Sequence, residues 1–363
     1  MALKIVYQIC CGVDVHKTFV VASIASTNKQ VLPPKRHRFS PFTQGLKELL
    51  QWLLDNHCKN VCMESTGKYW IPIYNVLEKD CNIVLAHPKY VKASRGKKTD
   101  KKDAKWIADL FKFGIVRSSF IPQKDFRILR ELTRYKYKLV NMRSSEKNRF
   151  QNALTSGNCK LDMVFTDVFG KSASNIIDLI LSDNPYTDED ILSKVHKKCK
   201  ASPDMILDSI NGTDLTPVQK SRIELVNDHI KQLSSNIQRL DKLIYLMIEP
   251  YEDYISFLCQ IPGVSRNSAI TILSEIGVDM NQFTSTRRLT SWAGLTPSSN
   301  QSTGKKKSVR ISRAGVYLKP CLVEVTHAAV KDKNHPYYAN KFNKISNVVE
   351  RNVLLLRLPE KYL

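Results

Sequence analysis

Cys10-Cys11-Gly12-Val13-Asp14-Val15-His16-Lys17 sets an acid between two valines, and the apolar run Phe19-Val20-Val21-Ala22-Ser23-Ile24 follows at once. β-branched residues on both sides of a Gly/His/Lys break predict two strands joined by a tight turn. Asp14 then lies inside a core strand, where a carboxylate without partners costs several kcal/mol, so a cation, a metal or a set of donors is expected beside it. A satisfied core acid or a turn-capping acid would account for the residue equally well. A metal site needs further carboxylates.

They occur downstream. Asn60-Val61-Cys62-Met63-Glu64 is a short apolar run that ends in an acid and precedes the turn-like Ser65-Thr66-Gly67, so it reads as a strand whose last residue points out at the sheet edge. From Lys97 to Leu110 the chain reads as a helix with Thr99 as N-cap. Asp100 and Asp103, three apart, share a helical face. Acids in a first turn also serve simply to offset the helix dipole. Here Lys97, Lys98, Lys101, Lys102 and Lys105 surround them, which makes a basic, phosphate-facing surface with two acids set in it. Two strand carboxylates and two helix carboxylates form an oxygen set able to hold a pair of divalent ions for phosphodiester chemistry.

Composition bounds the partners. The 363 residues suffice for two or three domains with proper cores, and 56 Lys+Arg against 34 Asp+Glu give a net charge of +22. Such a balance favours a polyanion, nucleic acid before an acidic membrane surface. No run approaches the length of a membrane span, and no signal peptide is read at the N-terminus. Nine cysteines, scattered through apolar segments, fit reduced thiols of the cytosol. Cys58 and Cys62 have no second pair at ligand spacing, which argues against zinc, and the Gly304-Lys305 pair lacks the rest of a P-loop.

Further along, residues 1–125 alternate strands and helices in an α/β order with antiparallel strands first. The basic segment His87 to Gly96, with Lys89, Lys92 and Arg95, is either a phosphate-contacting loop or a solvated charge run. Residues 126–253 read as helical. Ile128, Leu132, Tyr135, Leu139 and Met142 supply an apolar stripe amid Arg127, Arg130, Arg134, Lys136, Lys138, Arg143, Lys147 and Arg149, a face suited to a nucleic-acid backbone. Ile223, Val226, Ile230, Leu233, Ile237, Leu240, Ile244 and Met247 form a heptad seam, predicting a coiled coil within the chain or between subunits, ended by Pro250. Turns are expected at Asn184-Pro185 and Ser202-Pro203. Residues 254–345 form a third, mostly α unit. Its Ile261-Pro262-Gly263-Val264 resembles a helix-hairpin-helix turn, whose helix N-terminus holds a DNA phosphate. A polar loop, Ser298 to Gly304, precedes Lys305, Lys306, Lys307, Arg310 and Arg313.

Six ordered blocks carry a family resemblance: Gly12-Val13-Asp14-Val15-His16-Lys17, Met63-Glu64-Ser65-Thr66-Gly67, Lys98-Thr99-Asp100-Lys101-Lys102-Asp103-Ala104, Ile261-Pro262-Gly263-Val264, Trp292-Ala293-Gly294-Leu295-Thr296-Pro297, and Gln301-Ser302-Thr303-Gly304-Lys305 followed by Arg310-Ile311-Ser312-Arg313-Ala314-Gly315. Over about residues 8 to 345 the chain resembles the insertion-sequence-110 transposases, the bridge-RNA-guided DNA recombinases. The resemblance implies a RuvC-like, ribonuclease-H-type α/β domain in which Asp14, Glu64, Asp100 and Asp103 are catalytic and hold Mg²⁺. It implies a transposase domain whose loop serine, matching Ser302, attacks DNA and forms a covalent phosphoserine link. It also implies a structured guide RNA, target and donor DNA as partners, a homo-oligomer (dimer or tetramer) with composite sites, and a cytoplasmic, nucleoid-associated protein. Lys97, Lys98, Lys101, Lys102, Gly263, Lys305, Lys306, Lys307, Arg310 and Arg313 are the expected nucleic-acid contacts. Thr303 and Ser299 rank below Ser302 as nucleophiles.

After Ile345 the family continues into a basic turn and an Ala/Ile-rich helix. Residues 346–363 read instead as an atypical tail, expected to be frameshifted or decayed and to lower activity. Two alternatives use the same residues differently. A metal-dependent junction nuclease would employ the four acids with water as nucleophile, and a non-enzymatic nucleic-acid-binding protein would be indifferent to the acids.

Overall fold

The computed structural model describes residues 4–27, 35–65, 67–87, 91, 100–116, 118–182, 184–296, 300–302, 305–308 and 315–346, without the side chains of residues 100, 101, 300–302, 305–308, 345 and 346. The expected N-cap Thr99 and the atypical tail from 347 onward lie outside the described residues. The chain divides into two compact units, Met1–Ile121 and Pro122–Leu363.

The first unit is built on a five-stranded sheet of order β3-β2-β1-β4-β5. Its strands are β1 (Ile9–Val15), β2 (Val20–Ser26), β3 (Lys35–Phe39), β4 (Asn60–Glu64) and β5 (Asn82–Ala86). The predicted hairpin is present: β1 and β2 are antiparallel, and His16 N–H donates to Phe19 O at the turn. β2 and β3 are also antiparallel, whereas β1, β4 and β5 run parallel. β4 is therefore an inner strand, and Glu64 leaves the sheet at a strand end rather than at an edge strand. Helices α1 (Thr43–Asp55) and α2 (Trp70–Leu77) supply the parallel crossovers, as parallel strands require. They bury one face, where Val13, Val15, Ala22, Ile24, Val61 and Met63 meet Leu46, Leu49 and Leu53. Helix α3 (Asp100–Lys112) covers the other face, with Cys10, Ala25 and Cys62 against Ile107, Ala108 and Phe111. Sandwiched this way, β2 is buried at every residue, which explains why only small serines, Ser23 and Ser26, interrupt its apolar side chains.

The second unit is helical apart from a short hairpin. Its axis is an antiparallel pair, α4 (Lys124–Ser156) and α8 (Pro217–Ile248), each about 50 Å long at 1.5 Å per residue. Between them lie α5 (Lys171–Leu181), α6 (Asp188–Ser193) and α7 (Pro203–Ile210). Ser202 caps α7 and Thr216 caps α8 with Gln219 in a capping box, each followed by a proline at the first turn. The α8 seam is real: Ile223, Ile230, Leu233, Ile237, Leu240 and Ile244 are buried, and α4 of the same chain covers them.

The stripe expected on α4 is corrected in part: Leu139 is buried and Leu132 packs beside it, but the other three members do not join them. Ile128, Tyr135 and Met142 are exposed, and the buried side is Phe126, Leu129, Leu139, Phe150, Ala153 and Leu154. The neighbours decide this, because α4 must serve α8 along its length and α10 near its start. The remaining helices are α9 (Glu252–Cys259), α10 (Arg266–Ile276), α11 (Thr286–Trp292), α12 (Leu318–Lys331) and α13 (Pro336–Ser346). The first four of these share one core with Phe126, Leu129, Ile244 and Ile248 of the long pair. No helix among the described residues is long and apolar enough to cross a membrane.

Candidate carboxylate centre and serine hairpin

Strand register brings the first two acids together. Gly12 pairs with Cys62 and Val13 with Met63, so one further step sets Asp14 beside Glu64 on adjacent parallel strands, about 4.8 Å apart at the backbone. Cys10 and Cys62 face α3 while Val13 and Met63 face α1. By the strict alternation of strand side chains, Asp14 and Glu64 also face α3. Asp14 is buried, Glu64 partly so, and His16 Nε2 lies 3.1 Å from Asp14 Oδ2.

Helix α3, which carries the other two, runs antiparallel to β1. Its last carbonyl, Lys112 O, accepts from Val6 and Tyr7 N–H, and Cys10 Sγ–H donates to Ala108 O. Gly12 is where it crosses: a Cβ there would fall 2.3 Å from both Ala104 O and Ala108 N. From that crossing, two strand residues to Asp14 advance about 6.6 Å and four helix residues back to Asp100 about 6 Å. The backbone of Asp100 thus comes level with Asp14, one turn before Ala104 on the sheet-facing stripe. Asp103, half-buried, precedes Ala104 directly. Lys102 and Lys105 are exposed on the same helix. Lys97 and Lys98, and the side chain of Lys101, lie outside the described residues.

In the second unit the segment read as a polar loop forms a two-stranded hairpin, β6 (Asn300–Ser302) and β7 (Lys305–Ser308), in which Ser302 pairs with Lys305. Ser302, Lys306 and Lys307 therefore have defined backbone positions, while Arg310 and Arg313 lie outside the described residues. Gly263 sits in the turn between α9 and α10 with φ of +83°, and a Cβ there would fall 2.4 Å from Val325 O and 2.7 Å from Ala329 N. Close packing against α12 therefore requires glycine at this position. At the start of α10 the Ser265 hydroxyl accepts from Ser268 N–H.

Residues 11–158, which carry all four acids, match a transposase family model of the DEDD, IS110 type, and residues 255–342, which carry Ser302, match the model for transposases of the IS116/IS110/IS902 family. The chain belongs to the IS110 family of transposases. No significant match was found among curated proteins. As an IS110-family member the protein is a DNA transposase, an enzyme that acts on DNA.

A DEDD transposase domain implies dependence on a divalent metal. Among the described residues no three His, Cys, Asp or Glu side chains group closely enough to hold an ion by themselves, and the side chain of Asp100 is not among them. The chemistry of the donors fits the group: they are carboxylate oxygens, which hard divalent cations prefer. The neighbouring thiols do not compete, since burial pushes Cys10 and Cys62 up to about 12 and leaves them neutral.

The basic face of α4 is only partly free. Arg134 donates through Nε and Nη2 to the two carboxylate oxygens of buried Glu275, both at 2.7 Å, and Arg130 donates to Ser274 O and Glu275 O. Lys136 pairs with Asp241 on α8, and Arg149 with Glu146. These cations are structural. Glu146 answers Arg149 from the same helix, but the acids that answer Arg130, Arg134 and Lys136 stand more than a hundred residues away, so the role of those three was invisible from the helix itself.

Proposed function

We propose that this transposase is an RNA-guided recombinase of an insertion sequence, in which Asp14, Glu64, Asp100 and Asp103 form a Mg²⁺ centre and Ser302 is the nucleophile. The observation that carries the reading is the convergence of β1, β4 and the start of α3 on one sheet end, each contributing an acid. The sheet order, antiparallel through β1 and parallel beyond it, supports a RuvC-like, ribonuclease-H-type domain. The antiparallel α4–α8 pair supports a coiled-coil arm.

When bound, the ion supplies polarisation of the scissile phosphate and eases deprotonation of a hydroxyl. The chain's own residues do the rest. Ser302 Oγ forms a bond to phosphorus as the bond from phosphorus to the leaving sugar oxygen breaks. The serine proton passes to a base, and the sugar oxygen takes up a proton. One phosphodiester is exchanged for another, so the reverse attack by a new sugar hydroxyl rejoins DNA without an outside energy source. His16 orients the Asp14 carboxylate through its hydrogen bond. Lys305, Lys306 and Lys307, with Arg310 and Arg313, neutralise backbone charge. A structured guide RNA selects target and donor DNA, and the protein works as a homo-oligomer.

The test incubates the protein, RNA from the flanking element, labelled target and donor DNA, and Mg²⁺, then looks for a protein–DNA adduct that survives denaturation. An adduct abolished by both Ser302→Ala and Asp14→Ala is expected. Cleavage without an adduct, unchanged by Ser302→Ala, would replace this reading with a hydrolytic junction nuclease.

A further inference from the structure

The sheet face that carries Asp14 carries a cation as well. Asp14 pairs with Val21, and Val21 pairs with Arg38, so the three share one cross-strand row that Glu64 extends on the other side. Along β3 the side chains alternate. Phe39 enters the α1 core, His37 packs against Trp52, and Lys35 donates to Asn56 at the end of α1. Arg36 and Arg38 therefore turn to the α3 side.

Arg38 is exposed, and its guanidinium carbon sits 3.9 Å from the centroid of the Phe19 ring. Phe19 in turn lies 4.4 Å from the ring of His16, which contacts Asp14. A continuous line of contacts thus runs from the buried acid to the edge arginine. Among the described residues no carboxylate pairs with Arg38; an aromatic face holds it. A guanidinium stacked on a ring keeps its N–H edge free, and that planar fork matches the oxygens of a phosphate. Carboxylates alone on this face repel a polyanion, whereas a fixed cation about two strand spacings, roughly 10 Å, from Asp14 offsets the repulsion.

We propose that Arg38 is the phosphate anchor that seats the nucleic-acid backbone at the carboxylate face, with Phe19 as the positioning residue that fixes its guanidinium. The proposal rests on this face engaging nucleic acid, as the preceding reading holds, and its test is independent of chemistry.

The full-length protein, in EDTA, is titrated with a fluorescein-labelled random-sequence DNA duplex, and separately with the matching RNA duplex, over a range of KCl. Arg38→Ala is expected to weaken DNA binding about tenfold and to reduce the slope of log affinity against log salt by about 0.9, the loss of one phosphate contact. Arg38→Lys and Phe19→Leu keep the slope and bind a few-fold more weakly, because the charge remains and its orientation is lost. Lys47→Ala, on α1 across the sheet, changes neither. A response confined to one duplex assigns the anchored strand to DNA or to RNA. A slope unmoved by Arg38→Ala, or lowered equally by Lys47→Ala, would overturn the proposal. In a separate assay with Mg²⁺, an Asp14→Ala variant that still cleaves DNA would overturn the carboxylate reading and leave the Arg38 result standing.

Discussion

At Gly12 a single hydrogen in place of a methyl group lets a helix lie directly on a strand. A Cβ would have to displace Ala104 O and Ala108 N, both backbone atoms that cannot rotate away. Gly12→Ala is therefore expected to lift α3 from β1. Overpacking of this kind costs about 1–3 kcal/mol. The larger loss should be in metal affinity, since Asp100 and Asp103 ride on the displaced helix while Asp14 and Glu64 stay. Calorimetric titration of Mg²⁺ alongside a thermal melt checks this; an unchanged affinity in a destabilised variant would mean that the helix acids take no part. The acids themselves were legible as residue types in strand-like and helix-like contexts. Their adjacency was not, because it depends on the register of β1 against β4, set by contacts along both strands.

Helices α4 and α10 are joined by an ion cluster rather than by apolar contact alone. Glu275 is buried between Arg130 and Arg134, and burial lowers Arg130 to about 10, still protonated at neutral pH. Removing the acid strands two partly buried cations. Glu275→Ala should destabilise the second unit by about 3 kcal/mol, the usual cost of an uncompensated buried charge, read as a lowered urea midpoint in circular dichroism. Glu275→Gln, which retains packing and hydrogen bonding, should cost less. The heptad seam of α8 was readable because an unbroken three-four spacing admits one buried side. On α4 apolar and basic residues occupy every side, so periodicity alone placed Leu132 and Leu139 correctly but also put Ile128, Tyr135 and Met142 on the covered side, and α8 and α10 decided which side that is.

The two compact units divide the proposed chemistry: residues 1–121 contain all four acids, and residues 122–363 contain the serine hairpin. The first unit has cores on both sides of its sheet, built from its own residues. Expressed alone, residues 1–121 should unfold cooperatively and bind Mg²⁺, yet form no covalent adduct with DNA. An adduct from this fragment would remove Ser302 from the mechanism.

Most element types, the acid on the opening strand, the basic balance and, through six ordered motifs, the family were legible in the sequence, whereas the β6–β7 hairpin read as a loop. The legible features are properties of short stretches, where side-chain periodicity and turn residues act over a few positions. The tertiary structure alone shows that Asp14 and Glu64 share a face, that α3 runs back along β1, that two of α4's five arginines, Arg130 and Arg134, face the buried Glu275, and that Arg38 stands in line with Asp14. Each of these depends on contacts between residues tens to hundreds of positions apart, and a local pattern carries no information about which distant surface will meet it.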